Sequence, residues 1–343
     1  RSRHGRAIKL SVLDHSPVRA GFTYADAVAE TLELAQLADR LGYTRYWVAE
    51  HHSTEGLAGS SPEVLVARIA GVTEEIKVGS GGVMLSHYSP LKVAENFGLL
   101  ETMYPGRIDL GIGRAPGSDQ LTAQALAYGS PIGAEYFPAK VRDLTLFLTD
   151  TLPDDHPLRG IHASPIPDRP PEVWLLGSSD QSATLAAHFG LPFSFAQFIS
   201  PQGGAWVTNA YREAFKPSAM LSEPKCSLGV FVICAETADE AEHHAKSRDL
   251  WRLWLEQGEL RPVPTVEDVA AHEFTDDEEA RVKANRQRHI IGTPEMVEQC
   301  LAEMAEEYAV EEFVVNTIVH DPGARLRSYE LLADVFGLAP RPS

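Results

Sequence analysis

The sequence predicts a (β/α)8 TIM barrel with insertions after its fourth and seventh strands. Eight short apolar segments alternate along the chain with segments whose apolar residues recur at helical spacing. Such alternation indicates a parallel sheet with helices outside it. Most of the apolar segments are followed by polar or glycine-rich sequence, which is typical of the carboxyl ends of barrel strands. We therefore expect residues 1–343 to form a single domain.

The first half of the chain contains the first four predicted strands and their helices. The strands are 8–13, 46–49, 76–79 and 107–112. The helices after the first three strands are 24–41, 64–70 and 90–103, where apolar residues recur near every 3.6 positions. Two further helices, 120–128 and 135–148, and an irregular proline-rich segment, 153–171, form the predicted first insertion.

The second half repeats the same order of elements. The predicted strands are 172–176, 192–196, 226–235 and 312–315, and the predicted helices are 182–189, 203–215, 237–257, 293–308 and 323–336. Residues 258–291 are polar, with an acidic run followed by a basic run, and they form the second insertion. Long polar insertions in regular barrels are often lids, so we expect 258–291 to be a mobile lid.

Composition excludes several classes of partner. The formal net charge of −18 argues against nucleic acid and anionic membranes, because both require a basic surface. There is no run of 18 apolar residues, and the first residues lack the apolar core of a secretory signal. The three cysteines, Cys226, Cys234 and Cys300, have no metal-type spacing, and we expect reduced thiols in a cytoplasmic protein.

Several chemically active side chains lie at predicted strand ends. In a barrel these ends meet at one face, so the residues should surround a single pocket. They are Asp14, His15, Glu50, His51, Gly81, Gly82, Arg114, Gly177, Ser178, Ser179 and Asn316. Glu50 and His51 follow the second strand directly, and titratable groups there are candidates for catalysis; capping and ordinary loop roles are the alternative.

The serines of Gly177-Ser178-Ser179 precede a helix that follows the fifth strand. Hydroxyls and exposed amides at a helix start suit a phosphate, although an ordinary N-cap explains a serine there equally well. Arg114, from another strand end, would supply the cation of a phosphate site. Gly81 and Gly82 either allow a flat ligand to approach the backbone or form a plain turn.

Two other kinds of site are less well supported. Gly111, Gly113 and Gly117 suggest a dinucleotide loop, but the spacing is wrong and the glycines follow the fourth strand. A metal could use the acidic and histidine side chains near the strand ends. Those side chains are Asp14, His15, Glu50, His51, His52 and His87. No later strand end adds a clear histidine and carboxylate set, so we expect no metal.

Four motifs resemble those of the bacterial luciferase-like flavin monooxygenases, in the same order. They are YWVAEHH at 46–52, VGSGGV at 78–83, RIDLGIGR at 107–114 and FGLP at 189–192. The resemblance extends from about residue 8 to residue 336. It implies a single-subunit luciferase-like oxidoreductase with the barrel fold predicted above.

The resemblance also implies a reaction. Reduced FMN would react with O2 to form a C4a-hydroperoxyflavin that oxygenates a small organic substrate. A separate NAD(P)H:flavin reductase would supply the reduced FMN, and we expect a homodimer. Gly113 stands where the luciferase catalytic subunit has a cysteine, and the carboxylate of its phosphate loop is replaced near Gly177, so we expect no light emission.

The resemblance assigns roles to individual residues. His51, with a pKa near neutrality, would be the acid and base, and Glu50 would border the isoalloxazine ring. Gly81 and Gly82 would form a cis peptide against the ring. The FMN phosphate would be bound by Arg114, Gly177, Ser178 and Ser179.

Two alternative functions remain. One is an F420-dependent dehydrogenase that transfers hydride, and the other is a non-catalytic flavin-binding paralogue. Replacing His51 with Asn separates the last from an enzyme, because a binder would keep its flavin affinity while an enzyme would lose turnover.

Overall fold

The computed structural model describes residues 7–114, 119–131, 133–199 and 204–342. The strands are β1 (Lys9–Asp14), β2 (Arg45–Val48), β3 (Lys77–Met84), β4 (Ile108–Gly113), β5 (Glu172–Gly177), β6 (Phe193–Ala196), β7 (Cys226–Cys234), β8 (His289–Gly292) and β9 (Glu312–Asn316). The helices are α1 (Tyr24–Leu41), α2 (Pro62–Gly71), α3 (Pro90–Met103), α4 (Gln120–Ala127), α5 (Phe137–Thr149), α6 (Asp180–Phe189), α7 (Gly204–Ala214), α8 (Ala238–Glu256), α9 (Val266–Ala271), α10 (Asp276–Arg286), α11 (Pro294–Tyr308) and α12 (Pro322–Val335).

Eight of the strands close into a barrel. They run in the order β1-β2-β3-β4-β5-β6-β7-β9, and β9 pairs with β1 to complete the circle. All of these pairings are parallel, as expected for strands connected through helices. The predicted (β/α)8 TIM barrel is therefore confirmed.

The remaining strand, β8, pairs with the last four residues of β7, from Phe231 to Cys234. Residues Leu228 to Phe231 of β7 pair with β9. The first part of β7 therefore belongs to the barrel, and its carboxyl end pairs with β8. The predicted second insertion, 258–291, includes residues 289–291, so this strand is not predicted from the sequence. This strand lies between a polar helix and a proline, and its four residues are too few to give a periodic pattern.

Local sequence signals explain most helix boundaries. The N-cap Thr23 forms a capping box with Asp26 at the start of α1, and Gly42 ends that helix in the left-handed conformation with φ of 93°. Proline occupies the first turn of α2, α3, α11 and α12, where its missing N–H would have no helical partner. The predicted helix at 203–215 begins at Gly204, and residue 203 lies outside the described residues.

The amino-terminal end of the barrel interior contains a network of charged side chains. The Arg45 guanidinium lies 3.0 Å from Asp109 and 3.1 Å from Glu312, and Lys77 lies 3.3 Å from Glu172. Burial alone would lower the pKa of Arg45, but the charges of the neighbouring carboxylates raise it above its ordinary value. Buried charges of this kind are tolerated when they are paired and hydrogen-bonded.

Above this network the barrel is filled by apolar side chains. Trp47 and Trp174 meet edge to face with ring centroids 5.3 Å apart, and Trp47 Nε1 donates to Asp109 Oδ2 at 3.0 Å. Leu13, Ala49 and Val314 belong to the same cluster. This cluster forms the floor below the carboxyl ends of the strands.

The segment 258–291 contains α9, α10 and the first part of β8. Arg281 Nε lies 2.7 Å from Glu256, and Arg286 Nε lies 2.6 Å from Asp249, so α10 is held against α8. Val263 exchanges backbone hydrogen bonds with Val18 and Ala20. The segment is thus more ordered than a polar loop, and its role as a mobile lid stays a prediction.

None of the helices in the described ranges is both long enough and apolar enough to cross a membrane.

Candidate functional site

The carboxyl ends of the barrel strands surround a cavity of about 790 Å³. This volume is within the range of roughly 300–1,000 Å³ that is common for small-molecule sites. Nine of the eleven residues predicted to surround one pocket line it: His15, Glu50, His51, Gly81, Gly82, Arg114, Gly177, Ser178 and Ser179. The sequence therefore predicted most of the strand-end residues that meet here.

Asp14 and Asn316 do not line this cavity, which corrects the prediction for both. The Asp14 carboxylate is fully buried and accepts hydrogen bonds from Arg325 Nη2 and Thr31 Oγ1, each at 2.7 Å. Burial would raise the pKa of Asp14, but Arg325 and the hydrogen bonds hold it below its usual value. Asn316 is also buried, and its amide contacts His15. Both residues support the strand ends from below the cavity.

The carboxylate of Glu50 is held by three donors. The backbone N–H of Met84 donates to Oε1 at 3.1 Å, Tyr88 Oη donates to Oε2 at 2.8 Å, and His52 Nε2 lies 2.6 Å from Oε2. Only 1% of the Glu50 surface is exposed. Glu50 therefore ties the end of β2 to the end of β3 and fixes His52, although it also lines the cavity.

The imidazole of His51 is held differently. Its backbone N–H donates to Gly59 O at 2.8 Å, and Nδ1 is buried without a hydrogen-bond partner in the part of the chain that the structure describes. Burial, with a smaller effect from His52, lowers the pKa of His51 to about 4. The expectation of a pKa near neutrality is thus wrong for this structure: the ring is desolvated, and desolvation favours the neutral form.

The peptide bond between Gly81 and Gly82 is cis, in agreement with the resemblance. A Cβ atom on Gly81 would lie 2.9 Å from Leu13 Cδ1 and from Trp47 Cβ, and one on Gly82 would lie 2.8 Å from Gly111 O. Neighbouring barrel atoms therefore occupy the space on the side-chain side of both glycines. Strand packing explains the missing side chains, and contact between this peptide and a ligand ring stays a prediction.

The opposite side of the cavity carries the polar groups predicted for a phosphate. Arg114 Nη1 donates to Gln181 Oε1 at 2.6 Å, and no carboxylate forms an ion pair with Arg114 within 7–114, 119–131, 133–199 and 204–342. Ser179 is the N-cap of α6 and accepts from Ser182 N at 3.3 Å, as in the simpler alternative. A Cβ on Gly177 would collide with the Ser182 side chain. A cation and a helix start thus lie side by side.

Several lining residues were missed by the sequence reasoning. They are Leu13, Trp47, Ala49, Met84, Gly113, Ala134, Leu176, Gln181, Ser182, Ser194, Ala196, Phe198, Ile199, Gly229 and Val314. Alternation along the strands could have indicated Trp47 and Leu176, because side chains two positions apart point to the same face. Phe198 and Gln181 come from loop and helix positions for which the sequence gives no such signal.

Gly117, the last glycine of the supposed dinucleotide loop, lies outside the described residues, as do Ala115, Pro116 and Ser118. The parallel barrel itself replaces the Rossmann alternative. The structure brings together no group of three or more histidine, cysteine or acidic side chains that could hold a metal, as far as its described residues extend.

Comparison with known proteins gives a consistent result. A family model described as "Luciferase-like monooxygenase" matches residues 8–312. The N-acetyl-S-alkylcysteine monooxygenase of Bacillus subtilis (strain 168) is 40% identical over 337 residues, which cover 97% of this chain and 100% of that protein.

Solved structures resemble the chain over nearly its whole length. The crystal structure of apo-MsnO8 is 41% identical with a TM-score of 0.90, covering 98% of this chain and 100% of that chain. The oxygenating constituent of 3,6-diketocamphane monooxygenase from Pseudomonas putida, in complex with FMN, has a TM-score of 0.69 at 20% identity and covers 98% and 100% of the two chains. The second likeness concerns the fold alone.

Proposed function

Because this chain belongs to the luciferase-like monooxygenase family, we propose that it is a flavin-dependent monooxygenase that uses reduced FMN and O2 to oxygenate a small organic substrate. One observation carries the proposal. A single cavity combines a cation without a carboxylate partner among the described residues, an apolar floor and two half-buried histidines whose pKa values are lowered by desolvation. These are the three environments that a phosphorylated redox cofactor and its substrate require.

The polar side of the cavity suits the phosphate of FMN. Arg114 has only the neutral Gln181 as a side-chain partner in the described part of the chain, so its charge is available to an anion. The positive end of the α6 dipole and the Ser178 hydroxyl lie in the same wall. Ser179 already caps Ser182 N, so its contribution would come through its backbone. Arg114, Gly177, Ser178 and Ser179 are the residues proposed to hold the phosphate.

The apolar side suits the ring of the flavin. Leu13, Trp47, Leu176 and Val314 are buried or half-buried and surround the strand ends next to the Gly81-Gly82 peptide. Reduced FMN, when bound, would supply the electrons that activate O2. The apolar residues would exclude water from this reaction, since water promotes side reactions of reactive intermediates.

We assign the proton transfer to His51 and a positioning role to Glu50. His51 lines the cavity with an unsatisfied Nδ1, whereas both oxygens of Glu50 are occupied by protein donors. A neutral imidazole with a free nitrogen can take a proton from a reacting group and return it. An anionic ligand beside His51 would raise the pKa of His51 from about 4 towards neutrality.

The substrate class to examine first is a thioether. The name of the Bacillus subtilis relative specifies N-acetyl-S-alkylcysteines, and 97% of this chain matches that protein at 40% identity. In this reaction one oxygen atom of O2 would be transferred to the thioether sulfur, and the other would be reduced to water with the two electrons of reduced FMN. A mobile lid formed by 258–291, a homodimer, a cytoplasmic location and a separate NAD(P)H:flavin reductase complete the proposal.

The experiment begins with an anaerobic titration of the protein with reduced FMN, and with reduced F420 in parallel. The FMN complex is then supplied with a flavin reductase, NADH, ¹⁸O2 and an N-acetyl-S-alkylcysteine. We expect reduced FMN to bind and one ¹⁸O atom to appear in the product. The His51→Asn variant should bind FMN as tightly as the parent and lose turnover at least about ten-fold, as is typical when a general acid or base is removed.

Other outcomes separate the alternatives. Binding of reduced F420 without binding of reduced FMN would replace the oxygenase with a hydride-transferring dehydrogenase. Tight flavin binding with no oxygenated product from any substrate tested, and no effect of His51→Asn on the reoxidation of bound flavin, would indicate a flavin-binding paralogue.

A further inference from the structure

Two imidazoles face each other at the edge of the cavity. His15 follows β1 and His51 follows β2, and their ring centroids lie 5.2 Å apart with an angle of 40° between the planes. Burial lowers the pKa of His15 to about 3 and that of His51 to about 4. Both rings are therefore neutral at pH 7, and each carries its single proton on one of two nitrogens.

The charged and titratable groups around His15 favour its neutral form on balance. Apart from burial, the groups that act on His15 are His51, Asp14, Arg248 and Arg325. Asp14 alone among them favours a proton on His15, and its carboxylate is bonded to Arg325 at 2.7 Å. Arg248 is buried and carries no carboxylate ion pair in the described ranges, so its charge opposes a second cation nearby.

Asn316 determines which nitrogen of His15 carries the proton. Asn316 Nδ2 lies 2.9 Å from Leu13 O and 2.8 Å from His15 Nδ1. A backbone carbonyl oxygen can only accept, so the atom facing it must be the amide nitrogen, and the orientation of the amide follows from the hydrogen bonds. The second amide hydrogen then points at His15 Nδ1, which must accept it. The proton of the neutral ring is consequently on Nε2.

His51 has no equivalent constraint. Its Nδ1 is buried and accepts no hydrogen bond from any residue that the structure describes. No neighbour therefore selects one tautomer of His51, and the proton can move between its nitrogens as a ligand requires. The two histidines differ in chemistry although they lie side by side.

From this difference we infer a division of labour: His15 is a permanent neutral donor whose Nε2–H binds an oxygen atom of the ligand, Asn316 is the residue that positions it, and His51 alone exchanges a proton. The inference rests on the proposed function for the identity of the ligand. A flavin ring carbonyl and an oxygen atom of the organic substrate offer the same acceptor chemistry, and the test below distinguishes them.

The tautomer can be observed without any cofactor. Protein labelled with ¹⁵N-histidine gives long-range ¹⁵N–¹H correlation spectra in which protonated and unprotonated ring nitrogens differ, and the His15→Gln variant assigns the His15 signals. We expect the Nε2-protonated tautomer at pH 7. In Asn316→Asp the new carboxylate should accept from Nδ1 and reverse the tautomer. A protonated Nδ1 in the parent protein would overturn the inference, even if Asn316→Asp failed to fold.

The donor role is tested with a matched pair of variants. His15→Gln keeps an N–H donor at a similar reach, whereas His15→Leu has a similar volume and no donor. Oxidised FMN and riboflavin serve as probes in fluorescence titrations. If the acceptor is a flavin carbonyl, His15→Leu should weaken binding of both probes about ten-fold, and His15→Gln should restore it.

If the acceptor belongs to the substrate, both variants should bind FMN and riboflavin normally. His15→Leu should then raise KM for the N-acetyl-S-alkylcysteine about ten-fold with little change in kcat, and His15→Gln should restore KM. Parent-like values for His15→Leu in every assay would refute the donor role. Failure of the parent protein to bind any flavin would instead refute the proposed function, and the tautomer result would stand apart from it.

Discussion

Glu50 and His51 are adjacent in the chain, but the protein holds their side chains in different ways. Glu50 uses both carboxylate oxygens to accept hydrogen bonds from Met84, Tyr88 and His52, whereas Nδ1 of His51 has no hydrogen-bond partner among the described residues. The sequence predicted both as site residues and correctly placed them at a strand end. It could not separate their roles, because two of the three partners of Glu50, Met84 and Tyr88, come from the end of β3 and the segment after it.

Arg114 provides a prediction at the same scale. Arg114→Gln should weaken FMN binding about ten- to a hundred-fold, because a hydrogen-bonded charge on a phosphate contributes about 1.5–3 kcal/mol. Riboflavin lacks the phosphate, so its binding should not change. The measurement is a fluorescence titration of both flavins, and Arg142→Gln is the control because Arg142 is exposed on α5 and pairs with Asp143. An equal loss for FMN and riboflavin would show that Arg114 does not bind the phosphate.

At the scale of elements, the contact between β3 and β4 determines where glycine is required. The Cβ position of Gly111 falls on the carbonyl oxygen of Ser80 in the neighbouring strand and 2.9 Å from Leu176 Cδ1. Gly113, two residues further along β4, has no heavy atom within 4 Å of its Cβ position. Glycines that look alike in the sequence therefore differ in what they must accommodate.

Gly111→Ala should lower the free energy of unfolding by about 1–3 kcal/mol, which is the usual cost of inserting a methyl group into a packed region. Gly113→Ala should change it by less than about 0.5 kcal/mol, as is usual for substitutions that create no contact. Urea unfolding followed by circular dichroism measures both values. Similar losses for the two variants would mean that strand propensity, rather than the approach of Ser80, decides the outcome.

Regular elements were predictable where the chain has a period or a cap. The pattern of α1 with Gly42 after it, and the prolines that begin α2 and α3, give boundaries within two residues of those observed. The pattern fails for β8, whose four residues have no period and depend on the free edge of β7. In the same way, the pairing of Asn316 with His15 joins residues 301 positions apart, which no local signal specifies.

For the whole molecule, the desolvation of three half-buried histidines predicts sensitivity to acid. Burial is the largest cause that lowers the pKa of His15 to about 3, of His51 to about 4 and of His289 to about 2. An unfolded histidine has a pKa of about 6.5, so below that pH the unfolded chain binds more protons than the folded one. The contribution of these histidines to the free energy of unfolding is therefore fully present above about pH 6.5. It is lost as the pH falls towards their pKa values in the folded protein.

Each of these histidines should lower the free energy of unfolding by about 2 kcal/mol between pH 7 and pH 5. Urea unfolding between pH 7 and pH 5 isolates this effect, because most carboxylates of the unfolded chain titrate below about pH 5. His289→Gln should reduce the slope of stability against pH, and His188→Gln on the exposed surface of α6 is the control. A slope unaffected by His289→Gln would contradict the prediction.

The charged network of Arg45, Asp109, Glu172 and Glu312 fills the amino-terminal end of the barrel, while the large cavity lies at the other end. Because the amino-terminal end is filled, two reactants that meet in this cavity must both enter from the carboxyl-terminal side of the barrel. The reactant that lies deeper must bind first and leave last. Because the proposed flavin ring lies against the apolar floor, we expect the cofactor to bind before the organic substrate and to leave after the product. The ion pairs that close the amino-terminal end of the barrel would in this way determine the order in which ligands bind at the carboxyl-terminal end.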